Sequence, residues 1–369
     1  MDVFLLEPFL TGSHEQWARG YARHSRFSVE VLGLPGRHWK WRMVGGADVL
    51  AEMYIDHSSS ADIFLASDML DIAAFGAHLR RRDRQVPIAA YFHENQITYP
   101  WSPSDPDVSL KRNNHYGFIN FRSALVADRV FFNSNFHREA FLEGLSGFLR
   151  QFPDRRMLHR VEEIRNKSEV LPLGLPLVEL DEYRQVEKGV EAVLLWNHRW
   201  EYDKDPEAFF NLLLRLKAEG LPFKLVVLGN AYQNHPPVFD RMRNELSDHL
   251  LHVGYASSRA EYAKWLWRSD ILPVTSRQEF FGASVVEAIH CRTFPILPER
   301  LAYVEHVPNG WRSEVFYHSE EELFMKVRRS IMQLDRIRKV DDLRKYVDKY
   351  DWNKLVNSYD EKLKKLCQK

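Results

Sequence analysis

Residues 273–297 read PVTSRQEFFGASVVEAIHCRTFPIL, and the fold follows from this stretch. An apolar run ends near Thr275, a polar loop carries Glu279, and Phe281-Gly282-Ala283 leads into a helix that carries Glu287. FPILP then restarts an apolar run, so the order is strand, loop, helix, strand, the repeating unit of a parallel sheet. Gly282 and Ala283 are small enough for a ligand to approach the backbone closely. The first N–H groups of the following helix have no intrahelical partner and suit a diphosphate or sugar hydroxyls. Glu279 is placed to accept hydrogen bonds from sugar hydroxyls and Glu287, two turns into the helix, from a ribose. The bland alternative is two unrelated glutamates on a solvated helix; the strand–loop–helix setting argues against it.

Outward from this point the same alternation fills the chain. Strands are expected at VFLL (Val3–Leu6), SVEVLGL, DIFLAS, PIAAYFH, RVFFNS and EVLPLG, then at EAVLLW, KLVVLG, LLHVGY, DILPVTS and FPILP. Amphipathic segments between them predict helices, among them Ser13–His24, Met69–Arg81, Asn114–Ala127, Pro206–Glu219 and Glu320–Ile331. LPLGLPLVELDEYRQVEKG reads as a connector. The expected organisation is an α/β chain with a Rossmann-like domain over 1–177, a second over 178–340, and a charged helical segment, 341–369, packing back across the junction.

Polar residues collect where strands end. Thr11-Gly12-Ser13, His93, Asn133-Ser134, Arg199, Gly229 and Glu279 each close a strand or follow one directly. Open α/β sheets bind ligands outside those ends. In WNHRWEYDKDPEAFF, Arg199 and Lys204 follow a strand and Pro206 opens a helix. Two cations there can neutralise a diphosphate, including the charge that builds on it as a leaving group; the alternative is a pair of solvated surface cations. Glu94, Asn95, Gln96 and Tyr99, on the loop after His93, suit a polar acceptor, or else serve as turn and cap residues. His14, at the start of the first helix, is a further acceptor candidate.

Composition narrows the function. Acidic and basic residues number 51 each, which excludes coating of nucleic acid by bulk charge. Two cysteines argue against a disulfide framework and for a reducing compartment, the cytoplasm. No stretch approaches the roughly 20 apolar residues of a membrane span. Asp105-Pro106-Asp107 is a formal D-x-D but lies in the proline-rich WSPSDPDVSLKRNN, and His and Cys lack zinc spacing, so no metal is expected. TGSHEQW supplies no G-x-G-x-x-G, which removes a dinucleotide-dependent dehydrogenase.

The order of these elements resembles the retaining glycosyltransferases of GT-B fold, family 4 type, two Rossmann-like domains facing across a cleft. Their Arg…Lys pair and E-x7-E motif match Arg199, Lys204, Glu279 and Glu287. The resemblance implies a nucleotide-sugar donor held by Arg199, Lys204, Glu279, Phe281, Gly282, Ala283 and Glu287, with Gly12 and Ser13 approaching its phosphates. It also places His93 near the reacting carbon, and makes His93, Arg199, Lys204 and Glu279 the catalytic set.

A narrower resemblance covers nearly the whole chain. LLEPFLTGSHEQW, ASDMLDIAAF, FHENQITYP, NNHYGFINFRSALVADRVFFNSNFHREAFL and LPLGL are similar to the tRNA-queuosine mannosyltransferases. This implies GDP-mannose as donor and the cyclopentene-diol of queuosine in an anticodon, that of tRNA-Asp, as acceptor. Lys111 and Arg112, the Arg80–Arg84 cluster, and Arg155, Arg156 and Arg160 are candidate phosphate contacts, and Tyr99, Trp101 and Tyr116 candidate stacking surfaces. Two alternatives stand beside this: a GT-B enzyme acting on a lipid or small metabolite, and a nucleotide-sugar-binding module without turnover.

Overall fold

The computed structural model describes residues 1–79, 85–102, 105–110, 112–229 and 236–368. Lys111 and the Arg80–Arg84 cluster lie outside the described residues. The chain divides into two compact units, Met1–Leu175 with Trp352–Lys369, and Pro176–Asp351. The segment expected as one piece over 341–369 is therefore split at 351/352 between the two units.

Unit 1 contains β1 (Asp2–Leu10), β2 (Ser28–Pro35), β3 (Ile63–Ser67), β4 (Ile88–Phe92), β5 (Arg129–Phe132) and β6 (Ser168–Val170). They form one parallel sheet in the order β2-β1-β3-β4-β5-β6. Helices cover both faces of such a sheet, which is why β3 is buried at every residue and reads as a continuous apolar run. β1 runs four residues beyond Val3–Leu6 and carries the fully buried Glu7 inside the strand. Edge-to-face contacts of Phe4 with Tyr54 (5.0 Å) and of Phe64 with Tyr54 (4.8 Å) and Phe75 (5.2 Å) knit one face. Tyr54 comes from Trp39–Ile55, a helix absent from the sequence expectation, where a Gly45-Gly46 pair interrupts the pattern. Gly46 is needed there, because a Cβ would stand 2.9 Å from the Cβ of Pro8.

The C-terminal helix Trp352–Cys367 belongs to this unit rather than lying on its surface. Trp352 and Tyr359 are fully buried. Gly20 and Gly174 leave room for the Trp352 indole; a Cβ on either would approach it within 2.2 Å and 2.5 Å. The Tyr359 hydroxyl donates to the Pro172 carbonyl (2.8 Å) and accepts from Trp17 Nε1 (3.2 Å).

Unit 2 contains β7 (Ala192–Asn197), β8 (Phe223–Leu228), β9 (Leu250–Gly254), β10 (Ile271–Pro273), β11 (Phe294–Pro298) and β12 (Phe316–Tyr317), ordered β12-β11-β10-β7-β8-β9 and parallel. β12 has two residues, too short to leave a periodic signal, and was not expected. In each unit the strand order reverses beside the first strand, between β1 and β3 and between β7 and β10. Those two points are where an open α/β sheet takes its ligand.

Candidate active site

In unit 2 the ends of β7 and β10 bring together residues that stand far apart in sequence. Lys204 lies in a 3₁₀ turn, Tyr202–Lys204, and is nearly buried. Its Nζ is 2.9 Å from the Gln278 carbonyl, 3.0 Å from Asp203 Oδ2 and 3.4 Å from Glu279 Oε2. Burial opposes its charge, yet Glu279 and Asp203 outweigh burial and the repulsion of Arg199, and hold its pKa above the ordinary value. Thr275 Oγ1, just past β10, donates to the carbonyls of Lys204 (2.8 Å) and Asp205 (3.0 Å) and fastens the two loops together. Arg199 is exposed, with Nη1 3.5 Å from Glu201. The pair is thus one buried and one exposed cation.

Glu279 is partly buried and its Oε1 accepts from the Phe280 N–H (3.2 Å). Gly282 has φ 88° and precedes the helix Ala283–His290. A Cβ at Gly282 would meet Tyr303 Cε1 at 3.1 Å and Glu279 Cγ at 3.4 Å, so glycine is required for conformation and for space. Phe281 is buried and its carbonyl accepts from His306 Nε2 (2.6 Å). Burial pushes the pKa of His306 down to about 4, so the ring is neutral and its Nδ1 faces the Tyr350 hydroxyl at 3.0 Å. Glu287 is buried with both oxygens engaged, by Arg259 Nη2 (2.6 Å) and the Tyr262 hydroxyl (2.6 Å). Asn197, at the end of β7, donates to Tyr262 Oη (2.9 Å) and to the Ser284 carbonyl (3.1 Å). Ala283 and Ser284 begin the helix, where N–H groups lack intrahelical partners.

In unit 1 the corresponding point holds a buried charged cluster. His14 Nδ1 lies 2.9 Å from Glu7 Oε2, and Glu7 Oε1 accepts from the Phe9 N–H (2.9 Å). Burial disfavours a charged His14, but the field and hydrogen bond of Glu7, with Asp68 and Glu94 adding, raise its pKa to about 9. The His14 ring is 4.3 Å from that of His93, and Trp17 packs edge-on against His93 at 4.6 Å. Burial, then the charges of His14 and His137, keep His93 neutral, its pKa well below the ordinary value. Asp68 Oδ1 accepts from the His93 N–H (2.7 Å), and Asn133 Nδ2 donates to the His93 carbonyl (2.8 Å). Glu7, His14 and His93 each bring a ligating atom within 4.8 Å of the others. The Glu7–His14 contact is a hydrogen bond, and the raised pKa of His14 places a proton in it.

Other expected site residues are placed differently. Asn95 Oδ1 accepts from the N–H groups of Ile97 (3.1 Å) and Thr98 (2.9 Å), which is turn chemistry. Gln96 donates through its backbone to Asn120 Oδ1 (2.7 Å) and through its side chain to Glu94 (3.1 Å). Tyr99 closes that turn, its N–H bonded to the Asn95 carbonyl (3.2 Å). Gly12 and Ser13 are exposed at the head of the helix Gly12–His24, with Gly12 at φ 52°. Arg112 is exposed. The D-x-D carboxylates of Asp105 and Asp107 both receive Lys40 Nζ at 2.6 Å, and Asp105 caps the short helix Pro106–Ser109. Ser67-Asp68, after DIFLA, is a secondary acceptor candidate in the sequence, while Glu7, His198, Arg259 and Tyr262 were missed. His198 is the one with a legible signal, since it directly follows β7; burial and the Lys204 charge drive its pKa down to about 3.

The whole chain is similar in fold to a sucrose-phosphate synthase from Thermosynechococcus elongatus (TM-score 0.70, 12% identity, 99% of each chain covered). A glycosyltransferase from Rickettsia africae gives 0.67 at 16% identity over 99% of this chain and 98% of that one. HepE from Anabaena, solved with UDP, gives 0.63 at 15% over 99% and 100%. Residues 181–340 match the family described as glycosyl transferases group 1. Together with the two switch-point sheets, this defines a glycosyltransferase of GT-B fold. Residues 2–175 match the family described as tRNA-queuosine alpha-mannosyltransferase N-terminal. A tRNA-queuosine alpha-mannosyltransferase of Drosophila melanogaster is 31% identical over 334 residues, 88% of this chain and 85% of that protein. The chain belongs to the tRNA-queuosine alpha-mannosyltransferase family.

Proposed function

We propose that the protein transfers mannose from GDP-mannose to the cyclopentene-diol of queuosine in a tRNA anticodon, that of tRNA-Asp, with retention at the anomeric carbon. The match of residues 2–175 carries this reading, because that half separates the chain from general GT-B enzymes. Unit 2 holds the donor. Arg199 and Lys204 take its diphosphate, the helix that begins at Ala283 offers N–H groups, and Glu279 accepts from the sugar. Glu287 meets the ribose through a carboxylate that Arg259 and Tyr262 hold in place. Unit 1 holds the acceptor through His14, Glu94 and the turn Asn95–Tyr99, with His93 at the sugar.

Bond making and breaking occur on one face of the sugar. The acceptor hydroxyl attacks as the diphosphate departs, through an oxocarbenium-like state, and the departing phosphate oxygen takes the proton. Lys204 contributes a charge fixed before the reaction begins, which stabilises the leaving group without reorganisation. Metal is not required in this scheme. A half-buried aromatic group, Trp39, Trp101 and Tyr116, with ring centroids 5.1–6.2 Å apart, suits stacking of an anticodon base, and the exposed Arg112 suits a phosphate. No described helix is long and apolar enough to cross a membrane, which supports action in the cytoplasm where tRNA is found.

The test is mass spectrometry of nucleosides from queuosine-containing tRNA after incubation with the protein and GDP-mannose. A queuosine nucleoside heavier by one hexose is expected. No such product, with GDP-mannose or any other nucleotide sugar, would overturn the acceptor.

A further inference from the structure

After Pro35, where β2 ends, residues 36–42 read GRHWKWR: three cations and a histidine interleaved with two tryptophans, and no acid before Asp48. In a parallel sheet this places the segment at the end of the strands that also carries the His14 and His93 loops. Gly36 sits against the loop after β1, since a Cβ there would stand 2.1 Å from Thr11 Cγ2. Trp39 and Phe9 pack on the buried Met43, Met69 and Ile119, and Phe9 meets the His14 ring edge-on at 6.2 Å. The segment is thus continuous with the acceptor side of unit 1.

Its residues divide into an inner and an outer set. Trp39 is half-buried against Trp101 (6.2 Å) and Tyr116 (5.1 Å), and Lys40 Nζ is bound by Asp105 and Asp107, both at 2.6 Å. These two anchor the segment. Trp41 is 65% exposed, the one exposed tryptophan among the described residues. Its ring reaches over Gly45, where a Cβ would meet Cζ2 at 3.1 Å and Cε2 at 3.3 Å. A glycine in the middle of a helix costs about 0.5–1 kcal/mol relative to alanine, and here it leaves the indole its place on the helix surface. Arg37 is exposed, and Arg42 spends its Nε on the Pro35 carbonyl (3.2 Å). Neither arginine has a carboxylate partner among the described residues, whereas Arg19, Arg26, Arg122 and Arg160 of the same unit each have one. The first acid on the helix, Asp48, lies two turns on and is held by His78 Nε2 (2.8 Å).

A solvent-facing indole between uncompensated guanidinium groups suits a ligand of flat rings joined by anionic links. Single-stranded RNA has that chemistry, because its unpaired bases stack on aromatic rings while arginine holds the phosphates. A duplex keeps its base faces inside the stack and would leave the indole unused. We propose that Arg37–Arg42 docks the unpaired part of the acceptor RNA, Trp41 stacking one base and Arg37 and Arg42 holding phosphates beside it. This rests on the tRNA reading given above. It is a platform separate from Trp39, Trp101 and Tyr116, whose rings are half-buried.

The experiment is equilibrium binding of queuosine-containing tRNA to the full chain, by fluorescence anisotropy over a range of salt concentrations. Trp41→Ala is expected to weaken binding about 10-fold with the salt dependence unchanged, and Trp41→Phe, which keeps a ring, to stay within about 3-fold of wild type. Arg37→Ala is expected to weaken binding and to lower the slope of log affinity against log salt by about 0.7, the value for one phosphate contact on a single strand. Both side chains are exposed, so melting temperatures are expected to hold and serve as the folding control. Trp41→Ala and Arg37→Ala with wild-type affinity and slope would overturn the dock and leave the tRNA reading standing. A wild type that binds no tRNA would overturn that reading and the dock with it. Unchanged RNA binding by Trp41→Ala together with a shift in sedimentation would make this face a contact between protein chains, and would also overturn the proposal.

Discussion

Lys204 and Glu279 leave different strands of unit 2 and are 75 residues apart in sequence, yet their charged groups stand 3.4 Å from each other. The relationship depends on the strand order, because β7 and β10 are sheet neighbours although β8 and β9 separate them along the chain. A buried ammonium between two carboxylates is a charge held ready for an anionic ligand. The two carboxylates also make Lys204 part of the local structure.

Lys204→Ala should therefore lose transfer and stability together. Removing the buried ammonium that Asp203 and Glu279 face costs about 3–5 kcal/mol when burial is complete. Transfer is expected to fall at least 100-fold, as for loss of a fixed oxyanion-stabilising group. Thermal melting and single-turnover transfer check the two effects separately. A variant with full activity would remove Lys204 from the donor site.

Gly229→Ala should be far more damaging than Gly12→Ala. Both glycines have positive φ, 111° and 52°, but a Cβ at Gly229 would fall 2.2 Å from the His198 carbonyl oxygen, whereas Gly12 opens onto free space. Gly12→Ala should cost only the conformational term, about 1–2 kcal/mol. Gly229→Ala should cost more, because backbone beside the donor residues must move. Denaturant midpoints of the two variants decide the order.

Stability should decline as pH rises, and Glu7 should be the cause. The folded-state pKa of His14 is raised from 6.5 to about 9, so its contribution is complete below pH 6.5 and lost on the way to pH 9. The raised carboxyl of Asp68 acts in the same direction between its ordinary 3.8 and about 8. For His14 the loss is on the order of 2–3 kcal/mol. Glu7→Gln should flatten the melting temperature between pH 6.5 and 9; an unchanged slope would place the proton elsewhere.

Trp352→Ala should loosen the C-terminal helix from unit 1. The indole fills the space left by Gly20 and Gly174, and its loss leaves a cavity worth about 3–5 kcal/mol. Limited proteolysis is expected to release residues after 352 faster than in the wild type. Equal protection would mean that Tyr359 and Asp360, bonded to Trp17 and Tyr21, suffice.

Chelation should leave transfer unchanged. The Asp105 and Asp107 carboxylates both bind the Lys40 ammonium, and the Glu7–His14 pair carries a proton. Loss of activity in EDTA, restored by a divalent cation, would contradict both assignments.

The alternation of apolar runs with amphipathic segments was enough to place eleven of the strands, because each strand and helix carries its own period in adjacent residues. Arg199, Lys204, Glu279 and His93 were legible for the same local reason, since each follows the end of a strand. What pairs with them was not. Glu7 follows the apolar run Val3–Leu6 with nothing local to name its partner, and only the return of the first helix shows that it holds His14. Asp105 and Asp107 read as a loop, and only the fold brings Lys40 onto both. The last segment read as charged and helical, with no sign of which residues it buries, whereas Trp352 and Tyr359 are buried in the first unit. Local periodicity encodes elements and their ends. Which ends become neighbours, and so which charges are compensated and which polar atoms remain for a ligand, is decided by strand order and by packing between residues tens to hundreds of positions apart.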